Sequence, residues 1–317
     1  MRIFENANYN FIRWRWHALI LSVVLIWAGV ATVFFRGGLP LGIDFSGGTV
    51  VVMQFDQPTT EDAVRTALGP LGSDAVVQRY GGGSTAPNSI MVRLPQTNTQ
   101  EANLAADSER ILAAVRNANI GNFTPTSRDI VGPTVGKDLQ WKGISATLAA
   151  LGGILIYVAL RFRFTFAVGA IVATFHDILV TLVLLTWFGY DLSLNVIAAI
   201  LTIAGYSVND TIVVFDRVRE NQAIMRREPL DQIVNKSLNQ TLGRTIITSG
   251  TTFLAVLSLY IFGGEVLRGF AFTMIVGIVT GTYSTVFIAA AIAIILSRRP
   301  AATQQTARSA EVRRRRA

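Results

Sequence analysis

Six long apolar runs, His17–Phe35, Leu139–Leu160, Phe164–Phe188, Leu192–Phe215, Thr245–Phe262 and Phe270–Leu296, decide which solvent this chain can fold in. Crossing a hydrocarbon layer of about 30 Å takes about 20 residues at a helical rise of about 1.5 Å. Within that layer each backbone amide must bond inside its own segment, so every run is read as a spanning helix. A mean hydropathy of +0.44 with only 15% charged residues fits that reading and excludes an ordinary water-soluble fold. The first run follows Arg13 and Arg15 but ends in Arg36-Gly37-Gly38 without a small-residue cleavage site, so it is expected to stay as the first span.

Lys and Arg orient the spans, because they collect in short connections on the inner face. Arg13 and Arg15, Arg161 and Arg163, the stretch Arg217 to Arg244, and the tail from Arg298 all fall on one side if residues 1–16 and 297–317 are both inside. The opposite connections, Gly189–Asp191 and Gly263–Gly269, carry only Arg268. The net charge of +8 is therefore read as anchoring at the bilayer, with no specific nucleic-acid partner. The absence of cysteine excludes disulfides and thiolate metal sites, and His17 with His176 cannot build a zinc site, so no metal is expected. Gly132-Pro-Thr-Val-Gly-Lys-Asp138 approaches a phosphate-binding loop but is one residue short and has Asp after the lysine; no nucleotide site or hydrolytic motif is found, and no enzyme activity is expected.

Residues 36–138 differ in kind: polar, mixed in charge and broken by turn residues, they read as a soluble domain on the outer side. Strands are expected at Thr49–Phe55, Ala75–Tyr80, Ile90–Leu94 and Phe123–Ile130, with a turn at Gly81-Gly82-Gly83. Helices are expected at Thr59–Leu68, opened by a Thr59-x-x-Asp62 capping box, and at Gln100–Asn117. The order β-α-β-β-α-β is that of a ferredoxin-like split βαβ unit. The fold class is thus a polytopic α-helical membrane protein, a six-helix bundle carrying one α+β domain. In the inner connection, about residues 216–244, Leu230–Leu242 reads as a short amphipathic helix lying at the interface, with Ile233, Val234 and Leu238 on one face. Asp216 is placed at the interface with Arg217 and Arg219.

Ionisable groups inside apolar spans cost about 2.5–3.5 kcal/mol each on insertion scales and so need a reason to be there. Asp210 lies in the fourth span shortly before its inner end, and Arg244 stands at the inner edge of the fifth at a depth that permits a pair. A carboxylate kept from water favours its neutral form while an approaching guanidinium favours the anion, so a movable Arg244 would switch Asp210 between binding and releasing a proton. Tyr206, Ser207 and Asn209, with the hydroxyls of Thr245, Thr248, Ser249, Thr251 and Thr252, could hold a file of water leading to it; the alternative is that they serve as helix-to-helix glue. His176 and Asp177, in the middle of the third span, are either a supporting part of that relay or a local pair that stabilises packing. Gly277-x-x-x-Gly281 is read as a close-packing face. Gly47-Gly48 and Gly132-Pro133, where the outer domain joins the spans, are read as hinges or as simple turns.

Several blocks resemble a known family. They are Leu41-Gly-Ile-Asp-Phe-Ser-Gly-Gly-Thr49, Val131-Gly-Pro-Thr-Val-Gly136, Phe175-His-Asp177, Gly205-Tyr-Ser-Val-Asn-Asp-Thr-Ile-Val-Val-Phe-Asp-Arg217 and Arg244-Thr-Ile-Ile-Thr-Ser-Gly-Thr-Thr252. Together they are similar to the SecD/SecF family of protein-export membrane proteins, within the resistance-nodulation-division superfamily. The resemblance implies a bacterial inner-membrane location, with residues 36–138 periplasmic, and an auxiliary role in protein export driven by the proton motive force. It implies Asp210 and Arg244 as the proton relay, completed by an intramembrane aspartate of SecD. It also implies SecD, the SecYEG channel, YajC and the exported polypeptide as partners. Protons are the coupling ion and sodium the alternative, with no bound cofactor. Half of a proton-driven exporter of small molecules or lipids stays open as a second function, and a passive scaffold as a third; the single small outer domain speaks against the exporter.

Overall fold

The structure is a computed structural model, and it describes residues 7–73, 75–80, 88–94 and 104–297. Its first span is α1 (Arg15–Phe35), followed by one turn of helix, α2 (Ile43–Ser46). The outer domain then runs β1 (Gly48–Phe55), α3 (Glu61–Ala67), β2 (Val76–Arg79), β3 (Ser89–Leu94), α4 (Leu104–Asn117) and β4 (Phe123–Val131). The bundle resumes with α5 (Pro133–Arg161), α6 (Phe164–Trp187), α7 (Leu194–Ile224) and α8 (Leu230–Phe262). The last span is α9 (Gly264–Ser284), one π-helical turn at Thr285–Ala289, and α10 (Ala290–Ser297). Among the described residues, six helical segments are long and apolar enough to cross a membrane.

The strands form one antiparallel sheet in the order β2-β3-β1-β4, so each β-α-β connection skips one strand, as a split βαβ unit requires. Alternation along β1 and β3 sends Val51, Met53, Phe55, Ile90 and Val92 to one face, where Val64 of α3 and Ile111, Leu112 and Val115 of α4 cover them. Each such side chain contributes about 1.5–3 kcal/mol over its exposed state. The opposite face carries Val50, Val52, Met91 and Arg93, and these too are buried, which points that face toward the bundle.

In the bundle, 56% of the most apolar stretch is buried in both α6 and the last span and 44% in α7, against 17% in α1, 11% in α5 and 17% in α8. The first three therefore form the centre. Small residues let them approach: a Cβ at Gly277 would meet Ile203 Cδ1 at 2.1 Å, and one at Gly281 would meet Ser207 Cβ at 3.1 Å. Gly169 likewise lies against the Ala289 carbonyl. The reading of Gly277-x-x-x-Gly281 as a packing face holds.

Several expectations need correction. The inner connection is no loop with a separate surface helix: α7 runs on to Ile224 and α8 begins at Leu230, so Leu230–Leu242 is the first part of a 33-residue helix. Its apolar residues Ile233, Val234 and Leu238 are buried with Phe215 and Val218 of α7, because an antiparallel helix partner hides that stripe better than a lipid surface does. Asn221 Nδ2 donates to Ser237 Oγ and to Gln240 Oε1, both at 2.8 Å, and fastens the hairpin. Asp216 pairs with Arg161 at 2.8 Å and with Arg219 at 3.5 Å, while Arg217 turns to Glu220 and Gln240. α5 starts at Pro133, before residue 139, because Gly132 and a proline at the first turn open a helix well. The α3 cap is Thr60, whose Oγ1 accepts from Ala63 N at 3.2 Å; Thr59 instead donates to the Gln57 carbonyl. The Gly81-Gly82-Gly83 turn and the start of the second domain helix at Gln100 lie outside the described residues.

Candidate functional site

Asp210 sits on the buried side of α7 with 9% of its surface exposed. Its Oδ1 accepts a hydrogen bond from Thr245 Oγ1 of α8 at 2.7 Å. Among the described residues its Oδ2 has no hydrogen-bond partner at normal geometry; Thr285 of the last span approaches the carboxylate, but its hydroxyl lies 3.0 Å from Thr211 Oγ1. The expected contact with Arg244 is not made. Thr245 occupies the place facing Asp210, and Arg244, one residue earlier and so about 100° round the helix, is exposed and acts on the carboxylate only through its charge at longer range. Asn209 is exposed too and is not part of the cluster. Thr248, Thr251 and Thr252 donate to carbonyls of their own helix, which leaves only their acceptor sides for other partners. Tyr206 and Thr282 meet Ser249 at 3.5 and 3.0 Å, a small bridge between α7, α8 and α9.

His176 and Asp177 build a second cluster, and a denser one. Asp177 is fully buried and His176 is 7% exposed. Asp177 Oδ2 accepts from Ser207 Oγ at 2.5 Å and from Ser284 Oγ at 2.8 Å, and Oδ1 lies 3.0 Å from His176 Nδ1. His176 Nε2 lies 2.9 Å from Ser22 Oγ, which is 3.1 Å from the Tyr283 hydroxyl, and that hydroxyl donates to the Ala18 carbonyl at 2.7 Å. The pair thus ties α6 to α1, α7 and α9. Ser207 reaches Asp177 because Gly281 leaves room beside it. Sequence reading found His176, Asp177 and Ser207 but missed Ser22, Tyr283 and Ser284; lone hydroxyls on apolar helices carry no periodic signal.

A joint links this bundle to the outer domain. Leu192 N donates to the Pro40 carbonyl and Gly42 N to the Leu192 carbonyl, each at 2.7 Å, which lays the chain before α2 alongside the α6–α7 connection. Asp44 Oδ2 accepts from Leu194 N at 2.8 Å and, with Ser193, caps the start of α7, where a negative charge suits the helix dipole. From the sheet, Arg93 donates to the Leu41 carbonyl and pairs with Asp191 at 2.6 Å. Burial pushes the Asp191 carboxyl above its ordinary range, and the Arg93 charge only partly offsets that. Gly47 and Gly48 both have positive φ, 68° and 120°, a conformation that glycine adopts without strain. Gly48 pairs with Val131 across the sheet, next to Gly132 and Pro133, and Gly136 lies against Gly47, so the two expected hinges stand side by side.

Two family models match: the SecD/SecF C-terminal domain of protein-export membrane proteins over residues 111–299, and the SecD/SecF GG motif over residues 32–59. The Protein translocase subunit SecF of Rhodothermus marinus is 44% identical, over 97% of this chain and 99% of the relative. The chain belongs to the SecD/SecF family. The SecF of Escherichia coli O157:H7 is 39% identical over 91% of this chain and 88% of its own length. The crystal structure of SecDF from Thermus, described as a translocon-associated membrane protein, superposes with a TM-score of 0.82 at 34% identity over 94% of this chain. SecDF in a super-membrane-facing form gives 0.64 at 35% identity over 96%. The chain spans 40% of the length of each of these SecDF chains.

Proposed function

We propose that this multi-pass membrane protein is the SecF-type subunit of the bacterial Sec translocase and works with SecD, in the inner membrane, to turn the proton gradient into export of polypeptides. The observation that carries the reading is Asp210: a carboxylate in the bundle with one oxygen bonded to Thr245 and the other unpaired among the described residues, within charge range of an exposed Arg244. An acid so placed has room for a proton or for a guanidinium. Rotation or sliding of α8 by part of a turn brings Arg244 to the place Thr245 now holds, and the arriving cation favours the anionic acid. No bond chemistry and no cofactor is needed; protons couple, with sodium as the alternative ion. Each charge that crosses yields about 2.3 kcal/mol per 100 mV.

Both termini are cytoplasmic in this reading, and the β-sheet domain is periplasmic, consistent with the basic inner connections. Helix rearrangement reaches that domain through the joint at Asp191, Leu192 and Asp44, which sits at the very start of the helix carrying Asp210. Gly47, Gly48, Gly132 and Pro133 then act as the hinge. Two SecDF chains of nearly equal identity superpose at 0.82 and 0.64, which supports a fold that occurs in more than one arrangement. The exposed face of α8 around Arg244, Ile246 and Ile247, next to Asn209, is the surface for SecD, whose intramembrane aspartate completes the relay. SecYEG and YajC are the further partners, and the exported chain is the load. The exporter alternative is set aside by membership in the protein-export family.

The test is precursor uptake into vesicles that contain the chain, SecD and the Sec channel under an imposed pH gradient. Asp210→Asn and Arg244→Met should assemble normally and lose the gradient-dependent part of export. Full gradient-dependent export by Asp210→Asn would overturn the reading.

A further inference from the structure

The hydroxyl chain beside His176 fixes how many hydrogens that residue and Asp177 hold between them. The Ala18 carbonyl can only accept, so the Tyr283 phenol spends its single hydrogen there. The contact between Ser22 Oγ and the Tyr283 oxygen, at 3.1 Å, must then use the hydrogen of Ser22. Ser22 has no second one, so the 2.9 Å contact with His176 Nε2 requires the hydrogen on Nε2. One further hydrogen lies between Nδ1 and Asp177 Oδ1 at 3.0 Å, since two bare acceptors would repel. Ser207 and Ser284 are donors to Oδ2 and leave this count unchanged. Imidazole and carboxyl group thus share two hydrogens and are neutral as a unit, either as imidazolium with carboxylate or as imidazole with carboxylic acid.

We propose that His176 and Asp177 form a second proton-binding site, loaded in this structure, whose discharge costs a hydrogen bond between α9 and α1. When one proton leaves to water, Nδ1–H stays on the carboxylate and Nε2 becomes an acceptor. Ser22 must turn its hydrogen from Tyr283 to Nε2. Tyr283 then either gives up the Ala18 carbonyl to donate to Ser22, or keeps it and faces Ser22 oxygen to oxygen. Either way one link between the two helices is lost. Proton occupancy at α6 is thereby tied to the packing of α1 on α9, next to the π turn at Thr285–Ala289, a local irregularity that helices often place at working sites.

The ionisable groups around the pair are few. α7 brings Asp210, one turn beyond Ser207, and α9 brings Tyr283. α1 carries Arg15 and His17 near its start and is followed by Arg36. α5 carries Lys137, Asp138, Lys142 and Arg161 toward its ends. α10 and the π turn carry none. The site does not depend on the Asp210 relay.

The chain has two histidines, so a His17→Gln background leaves His176 alone. This chain, ring-labelled with nitrogen-15 and joined to unlabelled SecD in vesicles of phosphatidylethanolamine and phosphatidylglycerol, gives the state of each ring nitrogen by solid-state magnetic resonance. Nε2 is expected to carry its hydrogen at neutral pH. Tyr283→Phe frees the Ser22 hydrogen for Nε2, so the ratio of bare to hydrogen-bearing Nε2, read at one fixed alkaline pH, should rise about tenfold, the worth of one hydrogen bond. An unprotonated Nε2 at neutral pH in the Tyr283 chain overturns the proposal, and so does an unchanged ratio in Tyr283→Phe. Should that variant not fold, the first measurement still decides. Asp210→Asn leaves the His176 hydrogens in place, so its export result judges the other reading separately.

Discussion

Two buried aspartates in this bundle have opposite surroundings. Asp177 is enclosed: two serines donate to one oxygen and the His176 ring nitrogen lies 3.0 Å from the other. Asp210, on the next helix, has one oxygen on Thr245, the other unpaired among the described residues, and an exposed arginine that reaches it only through its charge at longer range. An enclosed carboxylate holds helices in place, whereas an incomplete one waits for another group. The difference teaches that the Asp177 cluster is satisfied by side chains of the bundle, while Asp210 keeps one oxygen for the SecD contact or the α8 movement proposed above.

The sharpest way to break the contrast is export itself. Asp210→Asn removes the titratable proton and keeps the shape, so gradient-dependent export should vanish while assembly with SecD, followed by co-purification, is unchanged. Stability should rank the two acids the other way. Asp177→Ala strands Ser207, Ser284 and His176 in the interior and should cost about 3 kcal/mol, read from denaturant unfolding in lipid micelles. Asp210→Ala loses one hydrogen bond and should cost about 1 kcal/mol. Equal losses would show that the sites do not differ as their geometry says.

Much of this was legible from residue order. The spans follow from apolar runs that only a membrane tolerates, and the split βαβ order follows from alternation and turn residues. Asp210 and Asp177 stand out because a charge in an apolar helix has to be accounted for. What could not be read is which side of a helix faces which neighbour: Arg244 and Thr245 are adjacent in the chain, and only packing decides that the threonine meets Asp210. Leu230–Leu242 failed for a related reason, since an amphipathic stripe looks the same whether it meets lipid or another helix. Asp191 was passed over as one polar residue in a short connection, yet its partner Arg93 was visible as a charge in a strand whose neighbours Val92 and Leu94 point to the core.

That pair adds a third acid to the comparison, this one partly buried, outside the membrane and matched with a cation in place. Arg93→Met leaves the Asp191 carboxylate uncompensated and should weaken docking of the domain by about 3 kcal/mol. Asp191→Asn keeps a hydrogen-bond acceptor for Arg93 and should change docking by about 1 kcal/mol or less. Gly42 and Leu192 report on this directly, because their amides bond across the joint and exchange with solvent only when it opens.

The smallest effect is that of pH on the same joint. Docking raises the Asp191 carboxyl above its ordinary value of about 3.9, chiefly through burial, so the docked state binds its proton more tightly than the undocked state does. Docking is therefore strongest below the ordinary carboxylate range, weakens as pH climbs through the raised value, and is level above it. Exchange at Gly42 and Leu192, corrected for the intrinsic rise with pH by using Asp191→Asn as reference, should accelerate across that window and then run parallel to the reference. Slower exchange across the same window would mean that the Arg93 charge outweighs desolvation, and the joint would then tighten as the acid ionises.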